Sequence, residues 1–229
     1  MYVYALLHTD ALPIALPPGW QAPLVVVRAG SLAAIGEPGL LASALPTAEG
    51  PLIQVVLHHD RVLCDLFQQT TILPLRFGRC FVSEARLQQY LQDQAEPHLQ
   101  QLAALAGLAE YTLKLIPLTP PEAEREVLSA AGGREYFLAK KQRYQTRQDQ
   151  QAQQQAERQA LLTAIGQTFP WVLPDAEVAA ANTIHILASR NPQDWQETWQ
   201  AWQDQCSHWQ LTREGPLPPY HFLTSPTES

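Results

Sequence analysis

The chain has 229 residues, 46% of them hydrophobic and 16% charged, enough for one large domain or two small ones and too apolar for a disordered polypeptide. Fifteen Lys and Arg against 22 Asp and Glu leave a formal charge of −7, which argues against a phosphate-tracking surface and so against nucleic acid as a partner. The charged share falls below the roughly 25% of an average soluble domain, and glutamine takes up much of the vacated polar surface. Cys64, Cys80 and Cys206 are odd in number and far apart, so neither a zinc site nor a disulfide framework is expected, and a reducing cytoplasm is. The opening Met1 to Leu7 lacks the basic flank and cleavage site of a secretory signal. No run approaches the roughly 18 unbroken apolar residues of a membrane span, so no membrane partner is expected.

In chain order, Tyr2–Leu7 and Leu24–Val27 read as strands separated by a loop rich in Pro and Gly, and Ser31–Ile35 as a weaker strand closed by Gly36, Pro38 and Gly39. Leu52, Val55, Val56, His59, Leu63, Leu66 and Phe67 then fall on one face of a helix. Thr70–Val82 is rich in β-formers, with Pro74 restricting it to an edge or a bulge. Ser83 is the expected N-cap of a helix that runs toward Leu105, is kinked or divided by Pro97 and is stopped by Gly107. Tyr111–Ile116 reads as another strand, and Pro117, Pro120 and Pro121 as an interdomain linker.

Residues 134–168 have the composition of one long helix. Between Tyr144 and Leu161 its only apolar side chains are Ala152, Ala156 and Ala160, so this stretch is expected on the surface, with Tyr136, Phe137, Leu161, Leu162 and Ile165 anchoring its ends. Asn182–Ala188 alternates as a strand, and Asn191-Pro192 opens a helix on which Trp195, Trp199, Trp202 and Trp209 recur at helical spacing. A short strand near Gln210–Thr212 leads into Gly215–Phe222, too proline-rich for a regular element. The order of elements gives an α+β fold in two domains, 1–119 and 120–229, the second with the long Gln-rich helix and the Pro-rich tail.

Chemistry-bearing motifs are sparse. His58 and His59 diverge by about 100° on a helix and lack the i, i+4 spacing of a metal pair, so His59 is read as a structural histidine. His8, His98, His185, His208 and His221 have no spacing that points to a site. There is no GxSxG, GxGxxG or GxxxxGK[ST], and Glu122, Glu124 and Glu126 suit a helix start through its dipole alone. Catalytic, cofactor and metal residues are therefore expected to be none. The tryptophans suit a core better than a binding face. Arg76, Phe77, Gly78 and the closing Pro218, Pro219, Tyr220 and Phe222 resist a local structural account, because each group sets an aromatic beside glycine or proline where propensity does not require it.

Met1-Tyr2-Val3-Tyr4, His59-Asp60-Arg61-Val62-Leu63, Ile72–Gly78 with Phe81 and Ser83-Glu84, Gly133–Lys141 and Gly215-Pro216-Leu217-Pro218-Pro219-Tyr220-His221-Phe222 together resemble the gas vesicle protein F/L family in order and spacing. Two positions depart from its GPWPPYSF ending: Leu217 stands for tryptophan and His221 for serine. The compact length and uncharged tail point to the F side of the family. The resemblance implies two α+β domains with ferredoxin-like elements, a location in the cytoplasm and the gas vesicle, and an accessory rather than enzymatic role. It also implies the gas vesicle shell protein GvpA as partner, with other gas vesicle accessory proteins as further candidates. On that reading Arg76, Phe77, Gly78, Pro218, Pro219, Tyr220 and Phe222 make either interdomain or partner contacts. The alternatives are an enzyme or small-ligand binder, which a pocket gathering His59, Arg76 and a carboxylate would favour, and an adaptor that self-associates through the long helix.

Overall fold

The computed structural model describes residues 1–118, 133–174 and 182–224, with the side chains of 133–136 and 139 set aside. It is an α+β protein with two four-stranded antiparallel sheets. The chain divides into two compact units, Met1–Glu110 with Pro216–Ser229, and Tyr111–Gly215. These follow strand pairing, whereas the expected division at 119/120 followed proline content. Pro117 ends a strand, while Pro120, Pro121, Glu122, Glu124 and Glu126 lie outside the described residues. Among the described residues no helix is long and apolar enough to cross a membrane.

In the first unit β1 (Tyr2–His8), β2 (Val25–Ala29), β3 (Leu32–Glu37) and β4 (Leu73–Pro74) form a sheet in the order β2-β3-β1-β4. Every residue of β3, and all of β1 but His8, is buried. Because successive side chains point to opposite faces, both faces of these central strands are covered. Helix α1 (Glu49–Gln69) buries Val55, His59, Val62, Leu63, Leu66 and Phe67. Val56, expected on that face, is 41% exposed; it lies about 100° from Val55, at the edge of the apolar stripe.

The expected strand over Thr70–Val82 is regular only at Leu73–Pro74. Its ladder with β1 is interrupted and then resumed, since the Leu75 amide donates to the Tyr4 carbonyl at 2.8 Å and the Val3 amide to the Arg79 carbonyl at 3.0 Å. Arg76-Phe77-Gly78 is therefore an arch looped out of the sheet edge. The Pro97 break is resolved as two helices, α2 (Glu84–Asp93) and α3 (Ala95–Ala104), with Ser83 capping the first through the Arg86 amide. The break sits at Gln94, upstream of the proline, because the ring of Pro97 obstructs the carbonyl of the residue four before it.

The second unit contains most of β5 (Leu108–Pro117), then α4 (Gly133–Thr168), β6 (Trp171–Val172), β7 (Thr183–Ser189), α5 (Gln196–Gln205) and most of β8 (Trp209–Leu217), with its sheet ordered β6-β7-β5-β8. The tail expected to be irregular thus begins as an edge strand, whose backbone proline can join at Pro216 because one side of an edge needs no donor. A 3₁₀ turn at Tyr220–Phe222 follows. Trp195, Trp199, Trp202 and Trp209 are all buried, but only Trp199 and Trp202 lie on α5; Trp195 belongs to a 3₁₀ turn and Trp209 to β8. They form the core, where Trp195 meets Tyr111 edge-on at 4.9 Å and Arg213 lies 4.8 Å over its ring.

Among the described residues the buried apolar side chains of helix α4 lie toward its C-terminal end, and the side chain of Tyr136, expected as an anchor, lies outside that set. Leu161, Leu162 and Ile165 are buried, whereas Phe137 is 70% exposed. Between them the helix is tied at its side by Glu157, which accepts from the His208 amide, and by the Gln154 carbonyl, which accepts from the Trp209 indole at 3.0 Å. Truncating Trp202 to alanine should cost about 3–5 kcal/mol through the cavity it leaves, read as a fall in the urea midpoint with the slope unchanged.

Candidate functional site

Two of the residues singled out in the sequence, Phe77 and Tyr220, reach one turn of α1, where His59 faces inward and its neighbour Asp60 outward. The inward side is a polar knot inside an aromatic cluster. The His59 Nε2 lies 3.1 Å from the Leu75 carbonyl, which can only accept, so Nε2 carries the proton. The Nδ1 is then an acceptor, and the Tyr2 hydroxyl donates to it at 2.8 Å. That hydroxyl in turn accepts from the Gly78 amide at 3.2 Å. Around the imidazole, Tyr4 stacks at 5.2 Å while Phe77 meets it edge-on at 5.7 Å. Burial holds His59 down to about 4 and pushes the Tyr2 hydroxyl up to about 12, so both groups are neutral over the physiological range.

Gly78 explains the arch. Its φ of +87° occupies the third position of a turn closed by the Arg79 amide on the Arg76 carbonyl at 3.2 Å, a place that glycine fills without steric cost. The turn aims Phe77 at Tyr2 and His59 and leaves Arg76 exposed. His59 and Arg76 are thereby separated in role: the ring has both nitrogens engaged, and the guanidinium faces solvent. The gathering of His59, Arg76 and a carboxylate that would favour an enzyme or ligand pocket is not formed by these two residues.

A second knot adjoins the first. Glu37, at the end of β3, is fully buried and accepts from the Tyr4 hydroxyl at 2.7 Å and from the amides of Trp20 at 2.9 Å, Ala22 at 2.8 Å and Gln21. Burial alone would raise this carboxyl; the Tyr4 hydroxyl and the Gln21, Ala22 and Trp20 amides outweigh it and hold Glu37 below the usual carboxylate range. The loop closes so tightly here that a Cβ on Gly19 would sit 2.1 Å from the Ala22 carbonyl oxygen. Sequence reasoning missed Glu37. Its signal was a single acid ending an otherwise apolar run, since such a charge must find several donors when buried.

On the outward side of α1 the tail docks within its own unit. Pro218 and Pro219 are buried, and the Tyr220 hydroxyl donates to Asp60 Oδ1 at 2.5 Å. Burial raises Tyr220 above its ordinary value, and the Asp60 bond adds to this. His221, the residue that departs from the serine of the family pattern, donates its amide to Glu110 at 2.9 Å and brings Nδ1 within 2.7 Å of the same carboxylate. Gln101 reaches the Thr224 hydroxyl at 2.9 Å. Leu217 and Phe222 are half-buried. Glu110 was also missed, although a lone acid within the apolar Leu108–Ile116 run carried the same signal as Glu37.

Beyond the docked tail, the outer face of α1 carries an apolar row that is exposed among the described residues. Ile53, Val56 and Leu57, at i, i+3 and i+4, are 47%, 41% and 55% exposed, and the side chain of Trp20 packs against His58 alongside, with ring centres 5.5 Å apart.

Two outcomes follow from the knots. A buried neutral histidine takes up its proton less readily in the folded than in the unfolded chain, so stability is complete above about pH 6.5 and falls as the pH drops toward 4. His59→Gln should remove about 3 kcal/mol of that acid loss, measured as the wild-type-minus-variant difference in urea stability at pH 7 and pH 4; His98, also held down by burial, contributes equally to both proteins and cancels. Tyr220→Phe should weaken tail docking by about 1 kcal/mol, seen as faster cleavage of the last residues by carboxypeptidase with the far-UV spectrum unchanged.

Comparison with known proteins bears on the fold and the family. A family model described as gas vesicle synthesis protein GvpL/GvpF matches residues 1–224. The crystal structure of the gas vesicle protein GvpF from Anabaena sp. PCC7120 superposes with a TM-score of 0.65 at 14% identity, covering 96% of this chain and 93% of that one. That of GvpF from Microcystis aeruginosa gives 0.59 at 15% identity, covering 96% and 97%. No curated protein matches the chain. At these identities the two structures establish likeness of fold, and the family match, extending from β1 through the docked tail, establishes descent: the chain belongs to the GvpL/GvpF family of gas vesicle synthesis proteins.

Proposed function

We propose that this protein acts in gas vesicle assembly in the cytoplasm by binding the apolar shell subunit GvpA directly, holding it soluble until it enters the wall. A subunit that builds a water-excluding wall exposes apolar surface and strand edges before assembly, and both associate indiscriminately. A partner that covers them needs an apolar face on a rigid support. The observation that carries the proposal is the exposed row of Ile53, Val56 and Leu57 on α1, with Trp20 beside it. The row stands on a helix fixed from below by His59 and from the side by Tyr220. The low charged share of the chain, 16%, supports the same reading, because desolvating uncharged polar groups against an apolar partner costs less than desolvating Lys or Glu.

In this reading Phe77, Gly78, Pro218, Pro219, Tyr220 and Phe222 present α1 rather than touch the partner, and Arg76, exposed at the arch, is left to contact it. Co-expression with GvpA provides the test. Ile53→Ser with Leu57→Ser should reduce the soluble, co-purifying GvpA at least tenfold while thermal stability stays within about 2 °C of the parent, as expected of surface positions. Undiminished GvpA recovery with this pair would refute the assignment. Phe77→Ala should lower stability and recovery together.

A further inference from the structure

We propose that the basic half of α4 docks on the acidic outer face of α5 in a second copy of the chain, reciprocally, to give a two-fold dimer. This is independent of the shell-protein reading.

Every described side chain from Phe137 to Asp149 on α4 is exposed. Four of them, Lys140, Lys141, Arg143 and Arg147, are cationic, and no acid occurs from Phe137 to Gln148. Such a concentration is unusual on a chain whose formal charge is −7. Lys140, Lys141 and Arg147 have no ion-pair partner among the described residues. Lys140, Tyr144 and Arg147 fall at i, i+4 and i+7, one row along the helix, with Tyr144 63% exposed.

The complementary row lies on α5. That helix buries Trp199 and Trp202 and exposes Glu197, Ala201 and Asp204 on its far side, again at i, i+4 and i+7, with no cation anywhere in its sequence. Both rows place their charges about 10.5 Å apart at 1.5 Å rise per residue. Laid side by side, they set two cations against two carboxylates and the Tyr144 ring against the small Ala201 side chain. Both rows belong to one unit, so a two-fold operator makes the contact twice. Phe137, Leu138 and Tyr144 are the exposed large apolar side chains described on this half, too few for a helix to lie in a bilayer, and four cations on an acidic chain are a poor phosphate surface. A protein surface with matched acids is the better fit. Exposed ion pairs are individually weak and screened by salt, so the association is of low affinity and strongly salt-dependent.

Sedimentation equilibrium of the full chain at 50 and 500 mM NaCl tests this. The parent should approach the mass of two chains with rising concentration at 50 mM and return to one at 500 mM. K140E/R147E and E197K/D204K should each remain single at 50 mM, and an equimolar mixture of the two should recover the dimer, because each variant's reversed row then faces the other's. Should either reversal impair folding, K140Q/R147Q, which removes charge without reversing it, should still weaken self-association at least tenfold. A parent that stays single at 50 mM, a dimer indifferent to the reversals, or a mixture that does not recover it would overturn the proposal. So would lysine-dependent pelleting with phosphatidylglycerol vesicles in the absence of self-association.

Discussion

A single imidazole, hydrogen-bonded at both nitrogens, joins the three segments on which the first unit depends. Through Nε2 it holds the Leu75 carbonyl beside the arch, and through Nδ1 it holds Tyr2 at the start of β1. A doubly engaged neutral ring in an aromatic cluster fixes its neighbours more sharply than apolar packing does, because leaving either partner unsatisfied inside the protein is costly. The arch then needs a left-handed residue where it turns back to β1, and glycine at 78 meets that need. Tyr2, Phe77 and Gly78, distant in sequence, are thus parts of one constraint.

Because His59 and Asp60 are consecutive on a helix, fixing the first orients the second. Asp60, about 100° further round the helix, faces outward and receives Tyr220 from the tail. The inward knot and the outward docking of the tail therefore act on the same turn of α1 from two directions, and the apolar row of Ile53, Val56 and Leu57 continues from it toward the helix N-terminus. The family is one of gas vesicle synthesis proteins, and on the proposal made above this row, exposed among the described residues, is the surface that meets the partner.

Much of this was legible in the sequence. The periodicity of α1, the cap at Ser83, the alternation of β7 and the length of α4 are local signals, and local physics decides them. The sequence also showed that His59 lacks the i, i+4 spacing of a metal pair; its contacts with Tyr2 and Leu75 are long-range and were not readable there. What escaped were long-range matters. Thr70–Val82 has strand propensity throughout, but a turn requirement at Gly78 removes its middle from the ladder. Trp209 keeps helical spacing with Trp195, Trp199 and Trp202 by coincidence, because the helix has already ended at Gln205. Phe137 was expected to anchor α4 on hydrophobicity alone, yet it is exposed. The buried acids Glu37 and Glu110 were passed over because their donors include the Tyr4 hydroxyl, backbone amides of a distant loop and the amide of His221 in the tail, which no spacing rule reveals.

The account stands on the protonation state of one ring. Nitrogen-15 chemical shifts of the His59 side chain in the folded protein at pH 5.5 measure it directly. The structure requires a neutral imidazole protonated at Nε2, with an unprotonated Nδ1 coupled to the Tyr2 hydroxyl. A cationic ring at that pH, or a proton resident on Nδ1, would contradict it.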